Sequence, residues 1–308
     1  MKTLQKMLFL IIVFIFTITN LQASSKNGFD LSNSSINQNE ILSGGPAKDG
    51  IPSINNPQFL DVKEVDYLKD DDIIIGLSHN GINKAYPTRI LVWHEIVNDT
   101  IEDLNVAVTY CPLCGTAMVF DRYIDDKLRS FGVSGLLYQS DVLMYDRETN
   151  SLWSQLAMKS VSGKSLGSEL RWIPSQHLTW KAWKTTYPNS KVLSLDTGYH
   201  RNYKATPYSS YINSDDVMFP VPNNRDDLSN KTWVLGVIID GIAKAYDVSK
   251  LPNNIEIKDK IGNTNIIIKY NEDKKNPKIT TVEGEDIPSV LVYWFAWQAF
   301  YPNTKIWK

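Results

Sequence analysis

Asp72-Ile-Ile-Ile-Gly76-Leu-Ser-His-Asn-Gly81-Ile-Asn-Lys84-Ala85-Tyr86 reads as a strand, a turn near Asn80-Gly81 and a second strand. It returns as Thr232-Trp-Val-Leu-Gly236-Val-Ile-Ile-Asp-Gly241-Ile-Ala-Lys244-Ala245-Tyr246. Apolar, β-branched runs on either side of a glycine-containing turn are the mark of a hairpin. Gly76, Gly81 and Tyr86 meet Gly236, Gly241 and Tyr246 at an offset of 160, and the same offset carries Leu91 to Leu251, Asp99 to Asp259, Asn105 to Asn265 and Tyr110 to Tyr270.

A second echo sets Trp183-Lys-Thr-Thr-Tyr187-Pro188-Asn189-Ser-Lys191 against Trp297-Gln-Ala-Phe-Tyr301-Pro302-Asn303-Thr-Lys305, at an offset of 114. The fall from 160 to 114 places about 46 extra residues in the first copy. Asn105–Tyr110 and Asn265–Tyr270 carry the β-branched content of buried strands. Thr179–Thr186 and Val290–Phe300 carry Trp and Ala at helical spacing and stop before Tyr-Pro, as helices do before proline. The expectation is an α+β, strand-rich protein of two tandem-related halves packed together, the first with an insertion that carries the site. The first half spans residues 57–200 and the second residues 201–308.

The N-terminus runs Lys2, Lys6, then an apolar stretch from Met7 to Thr17 and a small-residue exit at Leu21-Gln22-Ala23. That is the order of a secretory signal, so residues 1–23 are expected to be removed and the product exported to a periplasmic or extracellular space. The apolar run is shorter than the ~20 residues that span a bilayer, so no stable membrane anchor is expected after cleavage. Residues 24–56, rich in Ser, Asn, Gly and Pro, read as an extended arm lying on the body. A formal net charge of −2 over 308 residues offers no basic face for nucleic acid. Nine tryptophans and fifteen tyrosines point to a packed β interior or an aromatic-lined cleft.

The chain has two cysteines, both in Tyr110-Cys111-Pro112-Leu113-Cys114-Gly115 after a predicted strand. Cys-Pro-x-Cys-Gly has the form of a metal-binding knuckle: proline stiffens the turn, and glycine at positive φ lets backbone N–H groups face the thiolates. A closed site needs a second knuckle, and the chain has none. Other ligands must complete it, and a position can stay open. His94 in Trp93-His94-Glu95 leads as third ligand, followed by a carboxylate able to bind or to orient. At the 160 offset His94, Cys111 and Cys114 become Asn254, Asn271 and Lys274. His79, His177 and His200 are weaker candidates. The pair can also be a cycling dithiol, although Thr116–Asp121 reads as a strand and not as the helix that activates a thioredoxin-like cysteine. An inert bridge across so small a loop removes little unfolded-state entropy.

The insertion holds the densest polar run, from Ser134-Gly135 through Gln139-Ser140-Asp141 to Asp146-Arg147-Glu148-Thr149. Asp146 and Arg147, at the end of a predicted strand over Val142–Tyr145, are candidate catalytic residues beside Cys111 and Cys114. The carboxylate can take a proton, the guanidinium can hold an anion, and Met144 offers a soft copper ligand. Asp-Arg-Glu-Thr-Asn is equally an ordinary turn with an ion pair. Thr197-Gly-Tyr-His-Arg-Asn-Tyr203, with Tyr208 and Tyr211, can wall a cleft or simply pack.

Tyr110-Cys-Pro-Leu-Cys-Gly115, Ser134-Gly-Leu-Leu-Tyr138, Ser140-Asp-Val-Leu-Met-Tyr-Asp-Arg-Glu-Thr149, Ser151-Leu-Trp153 and the Trp294-Phe-Ala-Trp297 to Tyr301-Pro302 ending resemble an exported microbial family, domain of unknown function 3179. The resemblance implies a shared fold and site and brings no activity, substrate or cofactor. Three functions therefore stand as expectations. The first is an extracytoplasmic protein with copper, zinc or iron on Cys111, Cys114 and His94, acting as a metalloenzyme or redox protein on a small molecule or redox partner, with no nucleotide cofactor. The second is a dithiol oxidoreductase. The third is a binding module with an aromatic cleft.

Overall fold

The hairpin that opens the repeat forms as expected, and the two copies agree in detail. In a computed structural model that describes residues 25–222 and 224–308, Ile73–His79 pairs antiparallel with Ile82–Pro87, and Trp233–Ile239 with Ile242–Asp247. Asn80-Gly81 and Asp240-Gly241 turn them, all four residues at positive φ. Such two-residue turns match the right-handed twist of the flanking strands. Each hairpin recruits a strand on one side, Gln176–Thr179 or Ser289–Tyr293, and a parallel strand on the other, Lys191–Leu193 or Lys305–Ile306. Between these come the helices Trp180–Thr186 and Trp294–Phe300. The second helix is shorter than the sequence suggests, because Ser289–Tyr293 is drawn into the sheet.

These sheets are blades 1 and 4. Blade 1 also takes Phe59–Asp61 at its edge. Blade 2 orders Trp172–Ile173, Thr116–Asp121, Leu104–Cys111 and Ile96–Ile101, and blade 5 holds Ile257–Ile261, Thr264–Asn271 and Asn276–Thr281. Blade 3 orders Lys159–Ser162, Leu152–Ser154, Asp141–Asp146, Phe131–Tyr138 and Ile41–Ser43.

The structure overturns the expectation of an α+β protein of two tandem-related halves. Strands hold 42% of the residues and helices 11%, and the five small sheets form a five-bladed β-propeller. The physical reason is that no helix among the described residues exceeds seven residues, too short to make a layer. Sheets apolar on both faces must then stack on one another. The offset of 160 marks a pair of blades, 1 with 2 and 4 with 5. The extra residues of the first copy form blade 3, which has no counterpart.

The matched blades lock into each other reciprocally. The Tyr293 N–H donates to the Cys114 carbonyl at 2.9 Å, and at the matched positions the Thr179 N–H donates to the Lys274 carbonyl at 3.0 Å. Each knuckle turn thus docks on the other copy's strand. Inside each copy one ion pair ties the hairpin to the next blade: Lys84 and Tyr86 to Asp99, and Lys244 and Tyr246 to Asp259. Residues 25–56 are stitched to blade 3 and blade 2 by Ile41–Ser43 and the Ile54–Val97 bridge, burying Phe29, Leu31 and Ile41. The leader assigned to residues 1–23 lies outside the described residues.

Candidate metal centre

Cys111 ends its strand opposite Thr116, and Pro112–Gly115 close the loop. Gly115 sits at φ +68°, and a Cβ there would stand 2.4 Å from the Trp233 ring, so the turn requires glycine for both conformation and space. The Cys114 N–H faces the Cys111 sulfur, as a knuckle requires. Outside the loop, the Tyr211 hydroxyl donates to the Leu113 carbonyl at 2.9 Å, and the Cys114 thiol to the Ser140 carbonyl at 3.1 Å.

Blade 3 supplies the third ligand. Gln139 and Ser140, both at positive φ, form the tight turn into Asp141–Asp146 and bring Asp141 against the knuckle. The sulfurs of Cys111 and Cys114 and a carboxylate oxygen of Asp141 all lie within 4.8 Å of one another, and the three residues are buried. One oxygen of Asp141 accepts the Leu156 N–H at 3.0 Å, while the other, Oδ1, meets no hydrogen bond of ordinary length and has only the Cys111 and Cys114 thiols beside the carboxyl group. A buried carboxylate oxygen so poorly partnered costs free energy unless something is supplied to it.

No base answers this charge. Other buried carboxylates here have cations, Asp99 with Lys84 and Asp146 with Arg129, whereas Asp141 and Glu95 have no ion-pair partner among the described residues. Burial pushes Asp141 up to about 7 and Glu95 up to about 8, Glu95 helped by the Asp141 charge. Burial raises both thiols too, that of Cys114 well above the ordinary range, and the neighbouring acids add to it. Four acidic groups are thus held protonated for want of a positive charge.

The other residues singled out in the sequence lie elsewhere. His94 is buried but outside the cluster. Its Nδ1 donates to the Pro52 carbonyl and its Nε2 accepts from the Tyr203 hydroxyl, each at 2.7 Å, so both nitrogens are taken. Desolvation lowers its pKa, in keeping with a neutral ring. The next residue, Glu95, is the one whose charge reaches Cys111 and Asp141. Asp146 and Arg147 stand at the far end of the strand that Asp141 begins, roughly 17 Å away at 3.3 Å per residue. Asp146 is saturated by the Thr149 N–H and hydroxyl and by Trp153 Nε1, and Arg147 pairs with Asp49 at 2.8 Å. The strand end is a structural junction that ties residues 46–53 to the blade. His79 pairs with Asp103 at 2.8 Å, and His200 is exposed.

His177 sits in blade 1 with its Nε2 unpartnered, and burial lowers its pKa to about 4 from 6.5. Between those values the unfolded chain binds a proton that the folded one does not, so stability falls as pH drops from 6.5 to 4. At the matched position of blade 4 stands Leu291. His177→Leu is expected to remove on the order of 3 kcal/mol of acid destabilisation. Urea unfolding at pH 7 and pH 4 checks it, and identical pH slopes for both proteins would refute it.

A family model described as a protein of unknown function, DUF3179, matches residues 48–286, a span that includes Glu95, Cys111, Cys114 and Asp141. No curated protein and no solved structure matches the chain.

Proposed function

The chain belongs to this family of proteins of unknown function, and since membership brings no activity with it, we propose from the site that it is an extracytoplasmic metal-binding protein in which Cys111, Cys114 and Asp141 hold one zinc ion. The observation that carries the reading is the buried Asp141 Oδ1, which meets no hydrogen bond of ordinary length, beside two buried thiols. Two sulfurs and a carboxylate suit zinc, which takes both donor types in tetrahedral sites. Copper(I) prefers an all-sulfur set, and magnesium or calcium an all-oxygen one. Three protein ligands leave a fourth position, with Glu95 close enough to influence what occupies it.

The same geometry weighs against a cycling dithiol. Nucleophilic cysteines are exposed and electropositive, with lowered pKa. Cys111 and Cys114 are buried, surrounded by acids and raised. Metal analysis of the full chain purified from its native compartment is expected to give close to one zinc per molecule, and none in Cys111→Ser or Asp141→Ala. A wild-type protein without metal would sink the reading.

Because the metal-free site holds its protons, uptake must expel them. Affinity is therefore expected to fall about tenfold or more per pH unit below the Asp141 value of about 7. Competition with a chromogenic chelator from pH 8 to pH 5.5 measures this, and a flat profile would mean the ion binds elsewhere.

A further inference from the structure

Four of the five blades enclose a cavity of about 430 Å³, within the range of small-molecule sites. Its walls are matched positions of the two copies. Tyr110 faces Tyr270, Ile73 matches Trp233, Thr88 matches Val248 and, at the offset of 114, His177 matches Leu291. The cavity lies where the two blade pairs meet, and its walls have diverged in one direction. In the last two of these pairs the first copy contributes the polar member, Thr88 or His177. The second contributes Trp233, Val248 and Leu291.

That asymmetry builds one polar wall against an apolar one with aromatic faces. On the polar side His177 Nε2 is buried and has no partner. At the mouth stand Glu272 and Lys275, which match Pro112 and Gly115 of the knuckle turn. Where the first copy's turn holds cysteines, the second copy's turn presents opposite charges. Neither side chain forms an ion pair among the described residues, with the other or with any third group, and both stand exposed in the turn that edges the cavity.

We propose that this cavity binds a small zwitterion with an apolar or aromatic side chain, of the free amino acid class. Glu272 receives the ammonium group, Lys275 the carboxylate, and the side chain lies between Trp233, Tyr110 and Tyr270. The two ligand charges each meet a side chain of opposite sign at the mouth, and a charge-assisted hydrogen bond contributes more than a neutral one. The proposal does not rest on the metal reading, although Trp233 borders both the cavity and the knuckle turn.

Calorimetry on the full chain with L-phenylalanine tests it, alongside phenethylamine, which lacks the carboxylate, and 3-phenylpropionate, which lacks the ammonium group. Saturable binding of L-phenylalanine is expected, with each analogue weaker by about tenfold or more. Glu272→Gln should remove the advantage over 3-phenylpropionate, and Lys275→Met that over phenethylamine. Both substitutions lie in an exposed turn, so folding is not at risk. No saturable binding at 10 mM, set as a limit of about 3 kcal/mol of affinity, or equal binding of all three compounds, would overturn the proposal. Saturable binding of D-glucose in place of L-phenylalanine would overturn the ligand class.

Discussion

Zinc added to the metal-free protein is expected to raise its melting temperature by roughly 5–10 °C at a free concentration near 100 times Kd. That excess stabilises by about 2.7 kcal/mol, and each kcal/mol moves a chain of this size by about 2–4 °C. Asp141→Asn should abolish the gain and at the same time stabilise the metal-free protein at pH 8. The sign follows from linkage. Asp141 is pushed up to about 7 from an ordinary 3.8, so the folded state holds a proton that the unfolded state has already released. Stability is then lost as pH rises from about 4 to about 7, and at pH 8 the folded protein bears a buried charge without a partner. Removing that charge should return on the order of a few kcal/mol. Cys114→Ser should also lose the zinc response, without the pH-dependent gain. Thermal scans of the three proteins at pH 5 and pH 8, with and without zinc, separate these effects. An equal zinc shift in all three would mean that zinc binds to surface groups.

The knuckle was legible because its chemistry is local: proline, two cysteines and glycine within five residues specify a turn whatever surrounds it. The hairpins were legible for the same reason, since Asn80-Gly81 and Asp240-Gly241 fix their own geometry. Asp141 was not, although it lies in the polar run singled out in the insertion. Nothing in a one-dimensional pattern says which end of a six-residue strand meets a loop thirty positions earlier, and Asp146-Arg147 carried the stronger local signal of charge. His94 shows the complementary error. It stands beside Glu95, but Glu95 takes a positive φ and successive side chains diverge there, so the imidazole turns to Pro52 and Tyr203 while the carboxylate turns to the site. The propeller was hidden by the echo that revealed the repeat. A period that contains two short sheets looks like half of a protein until the sheets are seen to stack separately.

The repeat also predicts where the fold tolerates least. Gly236 lies in the middle of Trp233–Ile239, and a Cβ there would stand 2.5 Å from Cε3 and Cζ3 of Trp297. Trp297 is 1% exposed, and its Nε1–H donates to Thr304 Oγ1 at 2.9 Å, so the ring cannot swing aside without breaking that bond in the core. Gly236→Ala is therefore expected to cost about 3 kcal/mol, the upper part of the usual range for overpacking, despite the gain from a less flexible unfolded chain. Trp297→Leu alone should cost a similar amount through the cavity it leaves. Together they should cost about 1–2 kcal/mol less than the two single costs added, because the smaller side chain makes room for the new methyl group. Strict additivity in urea unfolding would show that the clash is not the cause. Gly76 against Trp183, at 2.1 Å, should behave the same way in blade 1. The two glycines should differ in one respect. Trp233 begins the strand that Gly236 anchors and lies over Gly115 of the knuckle, so Gly236→Ala displaces the lid of the metal turn. Zinc affinity should fall in Gly236→Ala and hold in Gly76→Ala at equal loss of stability, which would separate the support of the site from the support of the fold.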